Sequence, residues 1–139
     1  MKIGLIDYGY KNKPFRAHYN DAGGDVYTEE KITIEPNSTV KVPLKFGLAL
    51  PDGFMAIIMP RSSMASKGIV SELPPIDSGY NGEIHAILTN HTTKNVEIEA
   101  DSRIAQIVII PIILPEFVPI EQLKGEEQRS NNGFGSTGV

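Results

Sequence analysis

The sequence predicts an all-β fold, a jelly-roll-like β-barrel or sandwich with one short helix and a flexible Gly-rich C-terminal arm. Three observations predict it. Short β-prone runs recur along the chain, no segment sustains a 3.6-residue apolar period, and ten prolines and thirteen glycines punctuate it throughout. Many short strands at this spacing make a sandwich, jelly roll or small barrel.

Taken in order, "KITIE" at 31–35 and "TVKVPL" at 39–44 are parted by the turn signal "EPNS". "FGLAL" at 46–50 runs into "LPDG", and "FMAIIM" at 54–59 follows. The one helical candidate is "SSMASKG" at 62–68, with Ser62 or Ser63 as N-cap and Gly68 closing it. Asn81-Gly82, inside "GYNG", is a type I′ hairpin signal with strands expected on both sides, "EIHAILTN" at 83–90 being the second. "NHTTKN" leads to "NVEIE" at 95–99, and "RIAQIVII" at 103–110 is the last strand expected. From about residue 121, "EQLKGEEQRS" passes into the tail "QRSNNGFGSTGV", too rich in Gly, Ser and Asn to bury a core. The expectation is a single domain over 1–139, with a β core at 1–120 and an arm at 121–139.

Composition narrows the function. With 139 residues, 40% hydrophobic and 22% charged, the chain is long enough for a real core and reads as soluble and globular. It has no cysteine, which removes disulfide frameworks, thiol nucleophiles and zinc-thiolate sites and fits a reducing, cytoplasmic location. The amino terminus reaches Asp7 before an apolar signal-peptide core develops. The most apolar stretch, "IVIIPIILP" at 107–115, is broken by proline and too short to span a bilayer, so no membrane partner is expected. A net charge of −4 argues against broad binding to nucleic acid but permits one small anion held by local arginines.

Several constellations carry chemistry. "PPIDSGYNGEIHAILTN" places Asp77 and Tyr80 beside a turn, either as turn decoration or as a carboxylate on a rigid β scaffold where a general base belongs. "MPRSSMASKG" puts Arg61 and two hydroxyls at a helix start, either an ordinary capped helix or an anion site, since guanidinium forks match phosphate oxygens. "DAGGDVY" offers Asp21 and Asp25 around two glycines, either a plain turn or a carboxylate that holds Mg²⁺ through water. Gln106 interrupts an apolar strand and needs a hydrogen-bond partner if buried, structural or ligand. His18, His85 and His91 have no metal-ligand spacing, and no Gly-Lys-Ser/Thr phosphate loop is present.

In sequence order, "DAGGDVY", "PRSSMASKG", "IDSGYNGE", "RIAQIVI" and "RSNNGFGSTG" resemble the five motifs of the trimeric dUTP diphosphatases, from about residue 14 to residue 139. The resemblance implies a jelly-roll homotrimer whose active sites are shared between subunits and which hydrolyses dUTP to dUMP and pyrophosphate. It implies that Asp77 holds the attacking water as general base. Tyr80 would pack against the deoxyribose and exclude a 2′-hydroxyl, and backbone around Pro75, Ile76 and His85 would pair with uracil. Arg61, Ser62, Ser63 and Gln106 would hold the phosphates, and Asp25 would bind waters of a Mg²⁺ spanning the triphosphate. In the tail, Arg129, Gly135, Ser136 and Thr137 would wrap the γ-phosphate while Phe134 stacks on uracil, which gives a Gly-rich arm a use as a lid.

The chain departs from the family at three places. The stretch from Arg61 to Asp77 is shorter than usual and has Ser71 where an asparagine often holds the nucleotide; Pro74-Pro75 precedes Ile76 where a glycine is usual; and Asp101-Ser102 replaces Gly-Asp before "RIAQ". These bear on base recognition and leave Asp77 and Tyr80 in place. Related dCTP deaminases need a glutamate at the position held here by Ile87. "IDSG" also resembles the signature of retroviral-type aspartic proteases, but bulky Tyr80 follows it where a small residue is normal. A nucleotide-sensing role on the same scaffold is the remaining alternative.

Overall fold

The computed structural model describes residues 1–121. In chain order the elements are β1 (Gly4–Asp7), β2 (Gly24–Thr28), β3 (Ile32–Ile34), β4 (Thr39–Pro43), β5 (Phe46–Ala49), β6 (Phe54–Met59), α1 (Ser62–Ala65), β7 (Ile69–Ser71), β8 (His85–Asn90), β9 (Val96–Ile98) and β10 (Ser102–Pro111). They pair antiparallel in four small sheets, ordered β1-β5, β2-β10-β6, β3-β9 and β4-β8-β7. This is the all-β, jelly-roll-like architecture expected, with one short helix.

Alternation builds the core. On β2, Gly24, Val26 and Thr28 are buried while Asp25 and Tyr27 face outward, and on β6 Ala56 and Ile58 are buried between half-exposed neighbours. Phe46, Ile34, Leu44, Ile69, Leu88 and Ile104 are among the largest fully buried side chains, contributed by elements from the whole body. Burying one such side chain stabilises by about 1.5–3 kcal/mol relative to leaving it in water.

β10 is the spine of its sheet: its first half pairs with β2 and its second half with β6. The register with β2 slips between Arg103 and Ala105. That bulge turns both Ile104 (1% exposed) and Ala105 (0%) inward, so Arg103 and Gln106 emerge on the same outer face. In an unbroken strand two residues three apart point to opposite faces.

Four local expectations are corrected. Asn81-Gly82 is not a type I′ turn, because neither residue has the positive φ that turn requires and no strand precedes it. The segment from Asp77 to Ile84 is instead a wider loop, and Gly82 is needed there for space: a Cβ would lie 2.7 Å or closer to the Tyr80 ring carbon Cζ and hydroxyl. The helix is capped by Arg61 and not by a serine, since the Arg61 carbonyl accepts from Met64 N–H (3.0 Å) and Ala65 N–H (2.9 Å). "DAGGDVY" runs into strand β2, whose glycine-led sequence hides its strand character, and β1 and β7 are strands beyond those expected. Gly68 does close the helical segment, at φ +85°.

Asn90 is the fold's main polar anchor. Fully buried, it donates from Nδ2 to the carbonyls of Ile34 (2.9 Å) and Lys94 (2.8 Å) and accepts at Oδ1 from Thr92 N–H (2.9 Å) and Thr92 Oγ1 (2.7 Å). It therefore ties the end of β8 to β3 and shapes the connection into β9. Asn90→Ala leaves this set unpaired away from water and is expected to cost about 2–4 kcal/mol, read as a lowered unfolding midpoint in urea.

Candidate functional site

Two groups of expected site residues assemble in different parts of the chain. The first lies on the outer face of the β2-β10-β6 sheet. Register places Asp25 opposite Gln106 and Tyr27 opposite Arg103. Arg61, leaving the end of β6, brings its Nε to 3.2 Å from Asp25 Oδ1, while an Arg103 guanidinium nitrogen lies 3.5 Å from Oδ2. Arg61 also donates to the Arg103 carbonyl at 3.3 Å. Gln106 Nε2 donates to the Pro60 carbonyl at 2.9 Å, which answers where this polar side chain finds its partner. Ser62 and Ser63 stand exposed in the first turn of α1, adjoining this group and free of capping duty.

Arg103 was not among the residues singled out from sequence. Its guanidinium sits 5.3 Å from the centroid of the Phe15 ring, and Phe15 is bridged to Asp25 through both backbone hydrogen bonds (2.9 and 2.7 Å). Ring, carboxylate and two guanidiniums thus form one half-buried set with a net positive charge. Such a set suits a multiply charged anion, because planar N–H forks match phosphate oxygens. The available sequence signal was weak, a single arginine at a strand start.

Asp25 is the one carboxylate in this group, and no cluster of three or more His, Cys, Asp or Glu able to hold a metal occurs among the described residues. This donor set does not fit a resident ion held by protein side chains alone. A single carboxylate can take part in a Mg²⁺ site only through water, with the remaining oxygen ligands coming from elsewhere.

The second group surrounds a cavity of about 160 Å³ lined by Ile58, Pro74, Ile76, Tyr80, Ile84, His85 and Ile87, with Lys41, Glu72 and Glu83 adding charge. Ile76 is fixed by a two-way backbone bridge to Ala56, and Tyr80 donates its hydroxyl to the Glu83 carbonyl at 2.7 Å. His85 opens β8, with Nε2 3.8 Å from Glu83 Oε1. Asp77 stands between Ile76 and Tyr80 in the loop, exposed, its carbonyl accepting from Tyr80 N–H at 3.0 Å. Pro75 is exposed at the cavity's approach. Ser71 is set apart from the rest: it is buried, and its hydroxyl donates to the Ile58 carbonyl at 3.1 Å. Glu72, its neighbour, faces the cavity instead.

Among the described residues no ion pair joins the two groups, and none of Asp25, Arg61, Arg103 or Gln106 lines the cavity beside Tyr80. Arg129, Phe134, Gly135, Ser136 and Thr137 lie outside the described residues. No helix among the described residues is long and apolar enough to cross a membrane.

The chain is similar to known proteins along nearly its whole length. Residues 10–138 match the dUTPase family. The chain is 43% identical, over 143 aligned positions, to the deoxyuridine 5'-triphosphate nucleotidohydrolase of Clostridium tetani, covering 99% of this chain and 96% of that protein. It is 37% identical to the enzyme of the same name from Leifsonia xyli subsp. xyli, covering 92% and 86% respectively. Its backbone is similar to that of the Staphylococcus bacteriophage 80alpha dUTPase with dUPNHPP, at a TM-score of 0.89, 26% identity and 99% coverage of both chains. A family match that spans both residue groups, with near-complete alignment to these relatives, means that the chain belongs to the dUTPase family.

Proposed function

We propose that this protein hydrolyses dUTP to dUMP and pyrophosphate, limiting uracil in DNA and supplying dUMP. The observation that carries this reading is the loop that holds Asp77 between Ile76 and Tyr80, both of which line a cavity of about 160 Å³. Asp77 accepts a proton from the attacking water as the water oxygen bonds to the α-phosphorus and pyrophosphate departs with the electrons of the broken P–O bond. Tyr80 packs against the sugar, where a 2′-hydroxyl would clash. Backbone at Pro75, Ile76 and His85 meets the uracil edge, while Ser71 supports this wall from within the sheet.

Arg61, Ser62, Ser63 and Gln106 hold the phosphates, and Arg103 joins them. Asp25 would hold Mg²⁺ through water, and the ion when bound supplies charge neutralisation along the triphosphate. Arg129, Gly135, Ser136 and Thr137 close on the γ-phosphate and Phe134 on uracil, excluding water from the site.

The working unit in this reading is a homotrimer, each active site taking its cavity loop, its arginine cluster and its arm from different subunits. Two features support it. Among the described residues no ion pair or shared cavity joins the two groups, and the segment leading to the arm exposes Ile113 (87%), Leu114 (69%), Phe117 (91%), Val118 (63%) and Ile120 (67%). A run this apolar and this exposed is a surface for another chain.

Pyrophosphate release with Mg²⁺, measured across dUTP, dCTP, dTTP and UTP, tests the activity. dUTP is expected to be turned over well and UTP very poorly, with Tyr80→Ala narrowing that gap. Comparable rates on UTP and dUTP in the unaltered protein would remove Tyr80 as the sugar gate. Ammonia released from dCTP would favour deamination instead. Against that outcome stands Ile87, which presents a hydrocarbon wall to the cavity where the deaminases need a carboxylate.

A further inference from the structure

The loop carrying Asp77 and Tyr80 is secured at both ends by backbone pairing, Ile76 with Ala56 and Ile84 with Phe46 and Leu44. Between those ends it has no strand partner and depends on side chains. Ser78 donates to Asp52 (3.1 Å), Tyr80 donates to the Glu83 carbonyl (2.7 Å), and the Glu83 carboxylate accepts from Lys45 N–H (3.1 Å). The loop's apex is held from the far end of the sequence: Tyr8, just past β1, donates its hydroxyl to the Asn81 carbonyl at 2.7 Å.

Tyr8 is itself well placed to act as a fixed post. Its backbone N–H donates to the Lys45 carbonyl at 3.0 Å. Its ring lies against Gly47, where an added Cβ would come within 3.1 Å of the Tyr8 ring, 2.7 Å of the Gly82 carbonyl and 3.0 Å of the Asn81 carbonyl. Gly47, Tyr8 and the loop apex therefore pack as one layer that only glycine permits.

We propose that Tyr8 is a positioning residue for the reaction. Its hydroxyl pins the Asn81–Gly82 peptide, against which the Tyr80 ring packs at Gly82, and so sets how far that ring reaches toward the sugar and where Asp77 is aimed. The proposal rests on the roles given above to Asp77 and Tyr80; Tyr8 touches no substrate. A displacement of a few tenths of an ångström at such a loop is enough to alter rate and selectivity, because catalytic groups act only within a narrow geometry.

The test uses the full-length protein with Tyr8→Phe, Tyr80→Ala, the double variant and Asp77→Asn. Steady-state kinetics on dUTP and UTP are measured for each, together with thermal unfolding. Tyr8→Phe is expected to lower kcat/KM for dUTP roughly three- to tenfold, the effect of one lost hydrogen bond, and to lower UTP turnover less. The dUTP-to-UTP ratio therefore narrows, while the unfolding temperature stays near that of wild type because Tyr8 is 45% exposed. With Tyr80→Ala present, Tyr8→Phe should no longer move the ratio, since the ring it positions is gone.

An unchanged rate and ratio in Tyr8→Phe would overturn the proposal. So would a loss of rate that tracks a lower unfolding temperature at constant ratio, the signature of a merely structural tyrosine. Asp77→Asn separates the two levels. If it keeps its turnover, the assignment of the site itself fails; if it is inactive while Tyr8→Phe behaves as wild type, only the role of Tyr8 fails.

Discussion

Asp77→Asn lowers dUTP turnover by roughly 10²–10⁴-fold, the contribution expected of a positioned general base. Asparagine has the shape of aspartate but cannot accept the proton of the attacking water. Binding of a non-hydrolysable dUTP analogue should therefore survive, because the loop remains held by Ile76, Ser78, Asn81 and Ile84. Single-turnover kinetics with an analogue-binding isotherm separate these effects. Retention of most turnover in Asp77→Asn would take this residue out of the mechanism.

Deleting residues 129–139 is expected to abolish most activity and to leave the body folded, because the described residues from Val26 to Ile107 already supply a buried core. Mixing then tests the sharing of sites. Asp77→Asn chains contribute an intact arm, and shortened chains contribute an intact Asp77. On the proposed trimeric assembly, each variant alone is expected to be nearly inactive. Refolded together at equal ratio, with random assembly, about a quarter of sites receive both intact parts, half from one source times half from the other. If the arm served the Asp77 of its own chain, no site could be complete and the mixture would stay inactive. Native mass spectrometry confirms that mixed trimers have formed before the rate is read.

The second residue group was the more legible of the two. Asp77 and Tyr80 stand three residues apart in one contiguous motif, so a local reading brings both forward together. The phosphate-facing group was legible only in part: Arg61, Asp25 and Gln106 stood out as charged or polar residues in revealing surroundings, whereas Arg103 looked like an ordinary strand-end arginine. Ser71 was a nucleotide-binding candidate because it fills the slot of an asparagine, yet it is buried and its hydroxyl donates to the Ile58 carbonyl.

By itself the sequence determined the all-β class and the positions of the longer strands, and it put Asp77 and Tyr80 forward as site candidates. These depend on alternation and on residues close together in the chain, where side-chain period and backbone preference act locally. Only the tertiary structure decided the rest. The bulge at Ile104 brought Arg103 and Gln106 to one face; the segment from Asp77 to Ile84 became a wide loop in place of a two-residue hairpin; and Tyr8, 73 residues from Asn81, became that loop's support. Arg61 and the Arg103 carbonyl it reaches are likewise 42 residues apart. Such contacts arise because the barrel's packing places distant side chains within hydrogen-bond reach, and no local pattern of hydrophobicity or turn chemistry encodes which distant residue will arrive.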